Sequence, residues 1–119
     1  MEEFVQIKNS RDLYRFRPDD IVFVGAEGNY SNLMLYTGRC YTFTMQLHLF
    51  SDIFMTLQNN PFVRVGKSLI VNKNYIECLL LQKKELRLSR RGIGETFRLN
   101  ASEQALKELK ALLEEGESK

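Results

Sequence analysis

The chain contains few of the residues from which metal sites and catalytic centres are built. Among its 119 residues are two cysteines, one histidine and no tryptophan. Cys40 and Cys78 lie far apart, and neither has a histidine or further cysteine nearby to complete a zinc-ligand spacing. We expect both to be small buried side chains; a disulfide is the alternative, which a reducing compartment disfavours. His48 has no partner for a catalytic or metal site and is expected to be exposed on a helix.

Long apolar runs are also missing. No run approaches the roughly 20 residues that span a bilayer. The N-terminus MEEFVQIKNS is acidic, where a secretory signal is basic and then apolar. Hydrophobic residues make up 44% and charged residues 27% of the chain, as in soluble globular domains. Because no repeat or linker divides the sequence, we expect one cytoplasmic domain over residues 1–119.

Positive charge is concentrated in one part of the chain. The formal net charge is only +2. Residues 62–100 nevertheless carry nine Lys and Arg against three Glu, a local charge of +6. Residues 1–61 have five basic and seven acidic groups, and residues 101–119 have three and five. This distribution predicts that a polyanion binds the 62–100 stretch.

The chain reads mainly as strands. Short runs rich in aromatic and β-branched residues, each ended by turn residues, predict strands over 4–8, 12–16, 21–25, 30–36, 40–44, 62–65, 69–71, 75–81, 86–89 and 95–99. Residues 82–85 and 90–94 are predicted hairpin loops. Apolar residues at steps of three and four predict one short helix over 45–57. A capping box formed by Asn100 and Glu103 predicts the start of a final amphipathic helix.

The tripeptide Gly66, Lys67 and Ser68 matches the last three residues of the phosphate-binding P-loop motif. That loop must open with a glycine and lead into a helix. Here the opening position is Pro61, which has no amide hydrogen, and the strand-like residues 69–71 follow. No other group suggests catalysis, since the remaining carboxylate pairs fit a turn and a helix end. We therefore expect no enzyme activity, no cofactor, no metal and no small-molecule substrate.

Two linked motifs carry a resemblance to a known family. The stretch IVFVGAEGNY at 21–30 is similar to I-x-Y-I-E-A-x-x-N-Y, and FVRVGKSLIVN at 62–72, followed by Ile76, is similar to F-x-R-x-H-R-S-x-[LIV]-V-N. In this order, with a hairpin and a short helix between them, the chain resembles the LytTR family of DNA-binding domains over residues 4–113. The resemblance implies a mainly β fold, an elongated stack of small antiparallel sheets with one short internal helix and a C-terminal helix.

The resemblance also implies function. LytTR domains insert loops rather than a recognition helix into DNA grooves, and they usually form the output half of bacterial response regulators that control transcription. No receiver domain is expected within the 119 residues, so the chain is either a free-standing member or part of a longer protein. Double-stranded DNA is the implied partner, with a second copy of the chain on repeated sites as a further candidate. The alternative is a protein-interaction or dimerisation module whose DNA surface is eroded.

DNA-facing positions can be carried over residue by residue. They are Asn29, Tyr30 and Ser31 in the first loop, Lys67 and Ser68 in the second, and Asn100 at the start of the last helix. The second loop has Gly66 and Lys67 where the family has His-Arg, and the third has Asn100 and Ala101 where it has Ser-Arg.

Lysine keeps the charge but not the fork that pairs with guanine, so these departures predict more phosphate contact and less base reading. Arg90 and Arg91 lie on a glycine-containing loop and are candidates to compensate for the missing arginine. The alternative for these two arginines is a solvated hairpin. Arg64 is expected to support the fold rather than to touch DNA.

Overall fold

The computed structural model describes residues 3–89 and 96–116, and strands predominate there. Its elements are β1 Val5–Lys8, β2 Leu13–Phe16, β3 Ile21–Glu27, β4 Tyr30–Leu35, β5 Cys40–Phe43, α1 Leu47–Phe54, β6 Phe62–Val65, β7 Leu69–Asn72, β8 Ile76–Leu80, β9 Glu85–Ser89, β10 Thr96–Asn100 and α2 Glu103–Gly116. Single 3-10 turns, Pro18–Asp20 and Lys73–Tyr75, precede β3 and β8. The expectation of a mainly β fold with one short internal helix and a C-terminal helix is confirmed.

The strands form three antiparallel sheets. The largest has the order β5-β4-β3-β7-β6, and the two smaller ones have the orders β1-β2 and β10-β9-β8. β3 lies at the centre of the five-stranded sheet, where Val24 pairs with Leu33 on one side and with Ile70 on the other. The described part of the chain measures 44 × 35 × 28 Å along its principal axes.

Two hydrophobic cores lie on opposite faces of the five-stranded sheet. In β7 the three consecutive residues Leu69, Ile70 and Val71 are all buried, and they alternate between the cores as the two-residue strand period requires. The first core joins this sheet to β1, β2 and α1 through residues such as Val5, Phe16, Phe50 and Phe54. The second joins it to the three-stranded sheet and α2 through residues such as Leu86, Leu88, Leu106 and Leu109.

A bulge in β3 adapts the sheet to the second core. Val22 and Phe23 both belong to that core, although neighbours on a regular strand face opposite sides. The pairing of β3 with β4 shifts register between Ile21 and Phe23, which turns both side chains to one side. Phe23 then meets Phe97 of β10 edge-on, with ring centroids 5.6 Å apart. The bulge therefore helps to dock the three-stranded sheet.

Asn72 at the end of β7 is fully buried, and its side chain makes three hydrogen bonds to main-chain atoms. Its amide nitrogen donates to the carbonyl oxygens of Ile21 at 3.0 Å and Pro18 at 3.3 Å, and its oxygen accepts from the Asn74 amide at 2.9 Å. The Tyr75 hydroxyl donates to the carbonyl of Asp19 nearby. A buried polar side chain is tolerated when its bonds are made. Asn72 thus fixes the entry to β3 and the exit from β7.

Several sequence expectations need correction. The helix α1 is shorter than 45–57, because tight turns end it after Phe54, with the Leu57 amide donating to the Phe54 carbonyl at 3.0 Å. Cys40 is exposed on β5, an edge strand, and Cys78 is half-buried, so the prediction of two buried thiols was wrong for Cys40. Both thiols are free, and partial desolvation raises the pKa of Cys40.

The predicted cap of the last helix was also wrong. Asn100 is the last residue of β10 and pairs with Glu85. The helix instead begins after Ser102, whose Oγ accepts from the Ala105 amide at 3.1 Å. Within residues 3–89 and 96–116, neither helix is long and apolar enough to cross a membrane.

Candidate nucleic-acid interface

The first predicted loop is the two-residue turn between β3 and β4. Glu27 pairs with Tyr30 across it, and Gly28 has a φ of +61°, the left-handed conformation that such a turn uses. Asn29 is exposed at its tip, and Tyr30 is 52% exposed. The exposed carboxylate of Glu27 accepts from the Asn32 amide nitrogen at 3.1 Å. With this negative charge beside it, the turn offers polar groups suited to base edges rather than to phosphates.

Ser31 is not exposed on this turn. Its side chain is fully buried, and its Oγ donates to the carbonyl of Met45 at 2.7 Å. The residue follows Tyr30 in β4, and successive strand residues face opposite sides of a sheet. The expectation that Ser31 contacts DNA is therefore corrected. It instead attaches β4 to the segment that leads into α1.

The second predicted loop is the turn between β6 and β7. Val65 pairs with Leu69 across Gly66, Lys67 and Ser68, and Gly66 has a φ of +65°. A β-carbon at Gly66 would meet the β-carbon of Ala105 in α2 at 3.5 Å, an ordinary contact distance.

Arg64 supports this turn. Its Nη2 donates to the Lys67 carbonyl at 3.0 Å, which is a supporting contact of the kind expected for it. The side chains of Lys67 and Ser68 are exposed. The turn therefore presents a lysine and a hydroxyl on a fixed backbone.

A main-chain hydrogen bond joins the two turns. The amide of Ala26 in β3 donates to the carbonyl of Ser68 at 2.8 Å. Between the turns lies a cleft of about 260 Å³, whose lining includes Tyr30, Gln46, His48, Arg64 and Lys67. His48 is exposed as expected. Its position beside the two turns follows from the packing of α1 against the sheet, which the local sequence does not reveal.

The third predicted site lies across a larger groove from the second. This groove has a volume of about 510 Å³ and is lined in part by Lys67, Ser68, Lys83, Lys84, Asn100 and Ser102. One wall is the turn between β8 and β9, which is fastened to the start of α2 because the Ala101 amide donates to the Lys84 carbonyl at 3.1 Å. Lys67 borders both the cleft and the groove, so all three predicted sites are contiguous.

The residues that line the groove carry positive charges and no negative ones. Lys67, Lys83 and Lys84 make no side-chain hydrogen bond or ion pair with any residue in the described ranges, and no carboxylate is among the residues that line the groove. Two lysines of α2 are paired instead: Lys107 lies 3.9 Å from the Glu103 carboxylate and Lys110 lies 2.7 Å from the Glu114 carboxylate. Three uncompensated ammonium groups around one concave surface attract polyanions. No cluster of metal-ligating side chains is found in the part of the chain that the structure describes.

The structure brings some of the predicted site residues together and does not describe others. Asn29, Tyr30, Lys67, Ser68 and Asn100 are exposed around one continuous surface. Arg90 and Arg91 lie outside the described residues. Sequence reasoning missed Lys83 and Lys84, although both belong to the basic 62–100 stretch, which was the signal that could have found them.

Comparison with known proteins decides the family. The sequence-family model described as the LytTr DNA-binding domain matches residues 11–114 of the chain. The chain belongs to the LytTR family. It is thus a member of a family of DNA-binding domains, which is not a family of enzymes.

A solved structure supports the fold assignment. The LytTr DNA-binding domain of a Bacillus cereus protein named as a methyl-accepting/DNA response regulator matches with a TM-score of 0.64 and 19% identity. The match covers 95% of this chain and 98% of that one. At this identity the likeness concerns the fold alone. Among curated proteins, none matches.

Proposed function

We propose that this LytTR domain is the DNA-reading part of a bacterial transcriptional regulator and contacts duplex DNA through the β3–β4 turn, the β6–β7 turn and the start of α2. The observation that carries the proposal is the position of Lys67. Its side chain borders both the cleft beside the first turn and the groove that leads to α2. One continuous surface can therefore follow a duplex, and most of its cations are free to meet phosphates.

Each part of this surface suits a different component of DNA. Asn29 carries an amide on a narrow turn, and an amide can bond adenine through two atoms in the major groove. Tyr30 adds an exposed ring and hydroxyl beside it. Lys67 is a flexible point charge, so it contributes phosphate attraction and little base discrimination.

Sequence selectivity then depends on the first turn and on DNA shape. The two positions where the family carries arginine have Lys67 and Ala101 here, so the guanidinium forks that read guanine are absent from both. Asn100 supplies one amide at the third site. DNA deformability adds discrimination at base pairs that no side chain touches.

The test is direct binding of the purified domain to fluorescently labelled duplexes of random sequence at low salt, followed by selection of preferred sites from a random pool. Binding that weakens steeply with salt, together with enrichment of a sequence motif, is the expected result. Paired motifs about one helical turn apart would indicate that a second copy binds on repeated sites.

The rival function is a protein-interaction or dimerisation module on the same scaffold. The turn at Gly66 and the residue Ala101 favour it, because both lack the side chains that LytTR motifs carry there. No duplex binding at low salt, combined with concentration-dependent self-association in sedimentation, would favour this rival and contradict the proposal.

A further inference from the structure

The turn between β8 and β9 carries two adjacent lysines that the family motifs did not single out. Lys83 and Lys84 lie between β8 Ile76–Leu80 and β9 Glu85–Ser89, and both line the groove that faces Lys67 and Ser68. Neither makes an ion pair or side-chain hydrogen bond with the described residues. Their position across the groove from the β6–β7 turn gives the groove two basic walls.

The backbone of Lys84 is in an unusual conformation for a lysine. Its φ is +54°, and it is the one non-glycine residue with positive φ within residues 3–89 and 96–116. Such turn positions are usually filled by glycine or asparagine, because a β-carbon is unfavourable there.

The hydrogen bonds around Lys84 hold this conformation. Its amide donates to the Leu81 carbonyl at 3.1 Å, and its carbonyl accepts from the Ala101 amide at 3.1 Å. Both bonds are main-chain bonds that a glycine would also make. The lysine side chain is therefore dispensable for the turn, and its conformational cost calls for another role.

The surroundings specify that role. The residues that line the groove include Ser102, with a hydroxyl, and Asn100, with an amide, and both are exposed. The Ser102 Oγ already accepts from the Ala105 amide, which leaves its hydroxyl hydrogen free to donate. The carboxylate of Glu103 in the first turn of α2 opposes an anion at the helix end. Attraction for an anion therefore comes from the lysines rather than from the helix.

We infer that the β8–β9 turn is an additional phosphate-binding element, and that one DNA strand runs through the groove with Lys83 and Lys84 on one side and Lys67 on the other. This inference rests on the proposed DNA-binding function and extends it to a part of the fold outside the three predicted loops. Lysine suits this position because its ammonium on a flexible stem follows phosphates without demanding a fixed base sequence.

The experiment compares the double variant Lys83→Ala, Lys84→Gly with the wild-type domain on random duplexes over a range of salt concentrations. Each lost phosphate contact removes about 0.9 from the slope of log affinity against log salt, so the slope should become shallower by about 1.8. Affinity should fall about 60-fold at 0.1 M salt and about 9-fold at 0.3 M. The thermal midpoint should stay equal or rise, because glycine fits the left-handed position at 84.

A matched control removes the same charge elsewhere. The double variant Lys107→Ala, Lys110→Ala loses two lysines of α2 that are paired with Glu103 and Glu114. Its salt slope should remain that of the wild type. An equal loss in this control would mean that net charge rather than the groove matters, and that result would overturn the inference.

The two proposals fail in different ways. If the wild-type domain does not bind duplex DNA, the proposed function is wrong. Suppose instead that the wild-type domain binds and that Lys67→Ala makes the salt slope shallower, while the double variant Lys83→Ala, Lys84→Gly binds like the wild type. The DNA strand then does not run through the groove. Only the inference about the β8–β9 turn is then overturned.

Discussion

Replacing Lys67 by alanine tests the centre of the proposed interface with little risk to the fold. The side chain is exposed and makes no ion pair or hydrogen bond with the residues that the structure describes. The turn is held by the Lys67 carbonyl, which accepts from Arg64 at 3.0 Å, and alanine keeps that carbonyl. We therefore expect the free energy of unfolding to change by no more than about 0.5 kcal/mol.

The effect on DNA binding follows from counterion release. A lysine that neutralises one phosphate contributes about 0.9 to the slope of log affinity against log salt. Lys67→Ala should therefore weaken binding about 8-fold at 0.1 M salt and only about 3-fold at 0.3 M. The loss should be similar for every duplex sequence, because an ammonium group reads charge rather than base edges.

Fluorescence anisotropy over a salt series measures both the affinity and its slope. Lys110→Ala is the control, since it removes the same charge from a lysine that is paired with Glu114 on α2. Circular dichroism establishes that both variants are folded. If Lys67→Ala retains the affinity and the salt slope of the wild type, the β6–β7 turn does not touch DNA, and the interaction-module function becomes the better explanation.

Three further predictions concern the structure around this surface. Gly66→Ala should destabilise the domain by about 1–2 kcal/mol in urea denaturation, because φ is +65° there; an unchanged midpoint would contradict that conformation. Ser102→Ala should cost about 1 kcal/mol through loss of the α2 cap, whereas Asn100→Ala should cost less than about 0.5 kcal/mol; the reverse order would restore Asn100 as the cap. Millimolar ATP or GTP with magnesium should leave the thermal midpoint unchanged, because Pro61 opens the loop and a strand follows Ser68; a shift of several degrees would refute this.

The order of strands and helices was predictable because the sequence signals were local and mutually consistent. β-branched and aromatic runs bounded by turn residues gave each strand, and Gly28 and Gly66 both occupy left-handed turn positions. Residues 69–71 were predicted as a strand from three consecutive apolar residues, and the structure has a core on each face of it. The expectation of stacked small sheets came from the family resemblance instead, and the number of sheets and their strand orders were not predicted, since strand pairing between distant segments leaves no local signal.

The candidate site was harder to predict because exposure depends on tertiary packing. Ser31 was carried over from the motif together with its neighbours, yet it faces inward with Leu33, two residues further along β4. The alternation of the strand could have revealed this. The contribution of Lys83 and Lys84 could not be located, because their turn reaches the groove only through the docking of the three-stranded sheet.

The distribution of cations distinguishes this interface from one that reads bases through arginine. Its three uncompensated lysines surround one groove, while Ala101 stands where the LytTR motif carries arginine. Phosphate contacts fix the register and orientation of a protein on DNA but carry no sequence information directly. Two of the side chains proposed to read bases, Asn29 and Tyr30, lie beside the Glu27 carboxylate, which discourages a phosphate from approaching that turn. In the proposed interface, different side chains therefore carry phosphate attraction and base reading, so lysine substitutions should change affinity uniformly, whereas changes at Asn29 should alter which sequences are preferred.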